Sequence, residues 1–204
     1  AMRTAGIGRL VFSSTAATYG EPAQMPIDET TPQEPINPYG FSKLFVERML
    51  HNLAETDPAF AFTILRYFNV AGCAEDGSVG EDHDPETHII PVILQTALGK
   101  RPKATIFGDD YPTPDGTCIR DYIHVVDLAE GHRAALDALA GSDDGDVRDP
   151  SVGSAGCRAV DLGTGAGHSV LEGLAAAGRA IGRPVPREVG GRRGGDYTAI
   201  LALL

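Results

Sequence analysis

The sequence predicts an α/β fold built on a parallel sheet, from three observations. Short apolar, β-branched runs alternate with stretches of helical period. Gly, Pro, Asn and Asp punctuate the ends of both. With 204 residues, the chain is long enough for one core, or a core and a small lobe. The apolar fraction of 42% and the 25 Gly and 14 Pro describe a globular chain with many turns.

The elements follow in order. Residues 9–14 open as an apolar strand that ends in hydroxyls, Ser13 and Ser14. Residues 20–38 carry five prolines and read as an extended connection. Asn37-Pro38 pairs an N-cap with a first-turn proline. Val46, Met49, Leu50 and Leu53 continue at helical spacing, which predicts a helix over 38–54. A buried strand is expected over 60–68, a loop over 72–86, and a short helix over 89–98 ending at Gly99. Strands follow at 104–107 and 121–126, then a helix over 128–140. Residues 141–156 are acidic and rich in Gly, Ser and Asp, and read as a surface loop. A strand over 159–162 and a helix over 169–181 complete the pattern, with Ser169 and Glu172 at capping-box spacing. Residues 197–204 read as a short apolar tail.

Charge and cysteine usage narrow the function classes. A net charge of −11 argues against wrapping a nucleic-acid backbone, although two or three local arginines still suit a small anion. Cys73, Cys118 and Cys157 are widely spaced and odd in number, so neither a disulfide framework nor a cysteine zinc site is expected. A reducing cytoplasm fits this usage. No signal-peptide pattern and no membrane-spanning apolar run is visible, and no metal is expected at the functional site.

The chemistry-bearing pattern is Tyr39-Gly40-Phe41-Ser42-Lys43. Residues four apart on a helix share a face. A free phenol titrates at about 10 and is a poor base at neutral pH. A nearby ammonium favours the phenolate, so the pair can take a proton from an alcohol. By itself the spacing equally suits a surface tyrosine beside a solvated lysine. The stretch Ser13-Ser14-Thr15-Ala16-Ala17-Thr18-Tyr19-Gly20 adds hydroxyls at the C-terminal end of a strand, where open α/β sheets bind ligands.

Together these two stretches resemble the extended short-chain dehydrogenase/reductase superfamily, and further motifs resemble its UDP-galactose 4-epimerases. They are Leu65-Arg66-Tyr67-Phe68-Asn69-Val70-Ala71-Gly72, Gly80-Glu81-Asp82, His88-Ile89-Ile90-Pro91, Thr105-Ile106-Phe107-Gly108, Gly116-Thr117-Cys118-Ile119-Arg120-Asp121-Tyr122-Ile123-His124-Val125, Leu162-Gly163-Thr164-Gly165 and Arg192-Arg193-Gly194-Gly195-Asp196. They run collinearly over roughly residues 8–197.

The resemblance implies a partial Rossmann-like parallel sheet with a smaller substrate-binding lobe. Residues 1–70 would be the C-terminal part of an NAD-binding domain. Residues 71–204 would be mostly substrate lobe, with 120–165 returning strands to the sheet. It implies Thr15, Tyr39 and Lys43 as catalytic residues, with NAD as cofactor. Ser13, Ser14, Tyr39, Lys43, Tyr67 and Phe68 would face that cofactor. Thr15, Asn69, His88, Ile89, Thr105, Ile106, Phe107, Arg120, Arg193 and Asp196 would hold a UDP-sugar. The implied reaction is epimerisation at C4 through a transient 4-keto sugar.

Alternatives stay open beside these roles. Arg120 next to Asp121 also suits a structural ion pair, and Phe68 suits the core. Sister dehydratases and decarboxylases usually carry an acidic residue just after the active-site threonine, where this chain has Ala16 and Ala17. Leu162-Gly163-Thr164-Gly165-Ala166-Gly167 resembles a dinucleotide or S-adenosylmethionine turn, but His168 stands where the fingerprint needs a third glycine. A tight strand-to-helix turn explains it equally.

No glycine-rich dinucleotide turn precedes the first strand. The resemblance therefore begins inside the family's sheet and stops near Asp196, and the front strands and part of the lobe are expected to be missing. On that basis weak NAD binding and little turnover are expected, and a non-catalytic remnant that binds a nucleotide sugar is the second possibility. The family dimerises through helices that include the tyrosine helix. Its partner helix has no counterpart here, so a homodimer is not expected.

Overall fold

The computed structural model describes residues 2–141 and 156–203. Along them run β1 (Arg9–Ser13), α1 (Pro38–Thr56), β2 (Ala61–Tyr67), β3 (Asn69–Ala71), α2 (Ile89–Ala97), β4 (Ala104–Phe107), β5 (Ile119–His124), α3 (Val125–Gly141), β6 (Cys157–Leu162), β7 (Gly167–Ser169), α4 (Val170–Ile181), β8 (Arg187–Gly190) and β9 (Ala199–Ile200). Most of the surface loop expected over 141–156 lies outside the described residues.

The main sheet has the order β1-β2-β6, all parallel. A strand in the middle of a parallel sheet is covered on both faces and so loses the polar alternation of an exposed strand. Phe62, Thr63, Ile64, Leu65 and Arg66 of β2 are all buried, as that position requires. On one face, Phe62 and Ile64 pack with Leu50 and Ala54 of α1. On the other, Tyr67 meets His132 of α3, with ring centroids 6.1 Å apart. Helices therefore cover the sheet from both sides. A second sheet joins β3, β5, β7 and β9, and a third pairs β4 with β8. The β4–β8 pair shares a core with α2 and α4 through Ile93, Ala97, Ile106, Leu174 and Val185.

Several boundaries differ from the sequence expectation. The strand expected over 60–68 breaks at Phe68, and Asn69–Ala71 pairs with β5 in the second sheet. The strand expected over 121–126 ends at His124, because Val125 and Val126 already belong to α3. Their β-branched side chains mimic a strand, but His124 Nδ1 accepts the Val126 N–H at 3.3 Å and caps the new helix. The tail is not a loose appendage. β9 pairs in parallel with β5, and Ile27 bridges Ala202. Ile200 and Ala202 are buried with Ala16, Tyr19, Ile27 and Phe68. Strands β3, β7, β8 and β9 are two to four residues long, too short to show a period of two.

The glycine turn at 163–165 is held by a carboxylate from the fold itself. Buried Asp121 accepts from Thr164 N at 2.8 Å, Thr164 Oγ1 at 2.7 Å and Gly165 N at 2.9 Å. The amides that would cradle a phosphate are thus already bonded, which supports the tight-turn explanation. Ser169 and Glu172 form the expected capping box on α4.

Beneath the main sheet's C-terminal edge lies a buried polar network. Glu47 of α1 pairs with Arg66 of β2, Nη2 to Oε2 at 2.7 Å. Arg66 Nη1 donates to Tyr19 Oη at 2.9 Å, and Tyr19 donates to Asp161 Oδ1 at 2.8 Å. Burial is the main cause that pushes the Asp161 carboxyl up to about 7, partly offset by the Tyr19 hydrogen bond. An unfolded aspartate titrates at about 3.9. Between those values the folded state holds a proton that the unfolded state has lost, so this contribution to stability falls as pH rises. Between about pH 4 and 7, wild type is expected to lose urea resistance with rising pH relative to Asp161→Asn. Parallel pH profiles of the two proteins would contradict this assignment.

Candidate active site

The site is built where β1 ends and α1 begins. Asn37 Oδ1 accepts the Gly40 N–H at 2.8 Å, and Pro38 sits in the first turn, so α1 starts where the sequence places it. Thr15 follows β1 in extended conformation and caps a short 3-10 turn, its Oγ1 accepting from Ala17 N at 3.1 Å. Gly40 lets the two segments meet: a Cβ there would lie 2.5 Å from the Ala17 carbonyl oxygen. A side chain at 40 would therefore push Tyr39 away from Thr15.

Across that contact the Tyr39 phenol and the Thr15 hydroxyl share one cavity wall, near enough for Thr15 to favour the phenolate. Because Thr15 Oγ1 accepts from Ala17, its own proton is free to go to the phenol oxygen. Lys43 Nζ donates to the Ser13 carbonyl at 2.8 Å and lies 5.8 Å from the Tyr39 ring centroid. The electrostatics differ from the sequence expectation. Burial pushes the Tyr39 phenol above its ordinary value; the neighbouring Thr15 hydroxyl lowers it, and the Tyr67 phenol raises it further. The Lys43 ammonium, anchored on the strand end, does not by itself reverse the effect of burial.

Thr15 and Tyr39 open on a cavity of about 620 Å³. Its walls also bring together Tyr67, Phe68, Asn69, His88, Ile89, Thr105, Ile106, Phe107, Arg120, Arg193 and Asp196. Of the expected site residues, Ser13, Ser14 and Lys43 stand behind the wall rather than in it. Ser13 Oγ pairs with His132 Nε2 at 2.8 Å, and the fully buried Ser14 hydroxyl donates to Glu47. Phe68 is both core and wall.

Arg120 does not pair with Asp121, whose carboxylate serves the 163–165 turn. It donates to the Ile119 carbonyl at 2.9 Å and sits 6.0 Å from the Tyr197 ring centroid. Arg193 lies 4.3 Å from the Phe107 ring centroid and pairs with Asp196 at 3.0 Å. Two guanidiniums thus face one cavity whose only acidic wall residue, among those described, is Asp196. Such a cavity suits an anionic ligand with a flat ring.

Residues 1–148 match the sequence profile described as the NAD dependent epimerase/dehydratase family. The chain belongs to the NAD dependent epimerase/dehydratase family. A UDP-glucose 4-epimerase of Lacticaseibacillus casei is 52% identical over 202 residues, covering 99% of this chain and 57% of that protein. The mouse UDP-glucose 4-epimerase is 44% identical over 203 residues, covering 98% of this chain and 55% of that protein. A crystal structure of the Bifidobacterium longum UDP-glucose 4-epimerase in complex with NAD+ and UDP superposes with a TM-score of 0.89 at 41% identity, covering 99% of this chain and 57% of that one. The chain spans a little over half the length of these epimerases.

The fold of this epimerase/dehydratase chain also adds wall residues that the sequence did not single out. Tyr197 lines the cavity and accepts from Asn37 Nδ2 at 2.8 Å, which ties the C-terminal segment to the start of α1. Asn37 shows a helix cap in the sequence, but its second bond spans 160 positions and leaves no local signal. Cys118 and Tyr122 line the cavity from β5 and the residue before it. Alternation along β5, with Asp121 on the opposite face, was the available signal.

Proposed function

We propose that this chain carries the nucleotide-sugar site and the proton relay of an NAD-dependent UDP-hexose 4-epimerase. The observation that carries this reading is the Tyr39 phenol set beside the Thr15 hydroxyl on one cavity wall with two arginines, with Lys43 of α1 bonded to the strand end behind them. Residues 1–70 then belong to the NAD-binding domain and 71–204 mostly to the substrate lobe. The separate cores of the main sheet and of β4, β8, α2 and α4 are consistent with that division.

In this reading Tyr39 accepts the proton of the sugar 4-hydroxyl and returns it after the 4-keto sugar has turned over. Thr15 donates to the phenol oxygen and fixes its direction. Lys43 adds positive charge behind it, and Ser13 and Ser14 hold the strand end that anchors Lys43 and leads into Thr15. Tyr67 and Phe68 offer a flat apolar wall of the kind a nicotinamide ring fits. Bound NAD supplies a hydride acceptor that carries positive charge, which also favours the phenolate. Asn69, His88, Ile89, Thr105, Ile106 and Phe107 line the part of the cavity assigned to the nucleotide. Arg120 and Arg193 hold its diphosphate, and Asp196 orients Arg193 or a ligand hydroxyl. Ala16 and Ala17 put no carboxylate beside Thr15, which favours epimerisation over dehydration or decarboxylation.

Calorimetry with UDP tests the site without the cofactor. UDP is expected to bind at one equivalent. Arg193→Ala is expected to weaken it by roughly 10–100-fold, the value of a charge-assisted hydrogen bond. Absence of UDP binding, or an Arg193→Ala protein that binds UDP as well as wild type, overturns the assignment. With NAD present, conversion of UDP-galactose to UDP-glucose tests the reaction itself.

A further inference from the structure

Glu81, His83, Glu86 and His88 stand at the edge of the cavity, outside the proton relay. Each offers one ligand atom, and all four atoms lie within 4.8 Å of one another. We propose that this cluster binds one zinc ion and fixes the rim of the cavity.

The distances carry the proposal. Glu81 Oε1 lies 3.2 Å from His83 Nδ1 and 2.9 Å from His88 Nδ1. Glu86 Oε1 lies 3.0 Å from His88 Nδ1, and Oε2 lies 3.8 Å from His83 Nδ1. Zinc bonds of about 2.0–2.1 Å in a tetrahedron put neighbouring ligand atoms about 3.3 Å apart, and the observed edges bracket that spacing. Two imidazoles with two carboxylates suit zinc, whereas calcium and magnesium take oxygens alone.

A second observation is independent of the spacing. The Glu86 side chain is only 3% exposed, yet among the described residues no lysine or arginine lies within 4 Å of its carboxylate. Its Oε1 accepts the His88 N–H at 2.7 Å, which holds this carboxylate in place beside the histidines without a basic side chain. Its only charged or chargeable neighbours at that range are the two histidines of the cluster. The start of α2 adds a positive helix end at His88, which opposes a cation. Two carboxylates outweigh that half charge and would leave the zinc site neutral.

The consequence for the cavity rests on the nucleotide-sugar reading. His88 lines both places. With Nδ1 on the metal, its Nε2 carries the proton and becomes a fixed donor toward a diphosphate.

The test uses the whole chain, stripped with chelator and returned to chelator-free buffer without nucleotide. It is titrated with zinc chloride by calorimetry and with cobalt chloride by visible absorption. One saturable zinc equivalent and the absorption of tetrahedral cobalt are expected. His83→Ala and Glu81→Gln are each expected to weaken zinc at least about tenfold. His83 is 54% exposed, so its loss should leave the fold intact, which circular dichroism checks. No saturable binding, or equal binding by wild type and variants, overturns the proposal and leaves the histidines to neutralise the carboxylates themselves. Because no nucleotide is present, failure of the UDP reading leaves this result unchanged, and the reverse also holds.

Discussion

Tyr39→Phe is expected to cut turnover of UDP-galactose by roughly 10²–10⁴-fold, the usual contribution of a positioned general base, while UDP affinity stays at the wild-type value. The substitution removes one oxygen from a ring that is 53% exposed, so packing barely changes. What is lost is the phenol oxygen beside Thr15 on the cavity wall. The pH profile separates this role from a structural one. Burial holds the phenol above its ordinary value, so the active phenolate grows as pH rises and the wild-type rate should climb on the alkaline side. Lys43→Met removes the ammonium 5.8 Å from the ring and should move that limb to still higher pH. A Tyr39→Phe protein that keeps turnover within tenfold of wild type, or a Lys43→Met protein with an unmoved profile, would remove the proton relay from Tyr39.

The parts of this arrangement differ in how far the sequence shows them. The Asn37-Pro38 start of α1, the buried run of β2 and the Ser169–Glu172 cap each depend on neighbours within a few positions, and each is found where the pattern puts it. The spacing of Tyr39 and Lys43 is equally local. Their distances to Thr15 and Ser13 are not, because they depend on the packing of α1 against the end of β1. Gly40 carries the signal for that close approach, but a glycine in a first helical turn has several explanations. The net shift of Tyr39 was illegible because burial is a property of the whole fold. The 197–204 segment shows only apolarity. Its pairing with β5 and its contact with Ile27 join positions more than 70 apart, beyond the reach of any local pattern.

Glu47→Ala is expected to cost about 3–5 kcal/mol of folding stability, the usual penalty for orphaning a buried charge. Glu47 lies on α1 one turn beyond Lys43 and is 1% exposed. It bonds Arg66 through Nε and Nη2 and also accepts from Ser14 and from Gln33 Nε2 at 2.9 Å. Burial alone would pull the Arg66 guanidinium down, but the bonds to Glu47 and the neighbouring Tyr19 outweigh it and the net shift is upward. Without Glu47, a guanidinium that is 5% exposed would keep its charge with the Tyr19 hydroxyl as its remaining side-chain hydrogen-bond partner among the described residues. A loss of this size is a large fraction of the roughly 5–15 kcal/mol that holds a typical domain together, so a lowered urea midpoint at unchanged slope should be plain. Glu47→Gln keeps an acceptor for Arg66 and should lose less. Glu47→Leu combined with Arg66→Met removes both charges together and should recover much of the loss, because a buried pair is often replaceable by apolar groups of similar volume. If the single Glu47→Ala change shifts stability by under about 1 kcal/mol, the range of an exposed pair, the charges are hydrated and the network does not fasten α1 to the sheet.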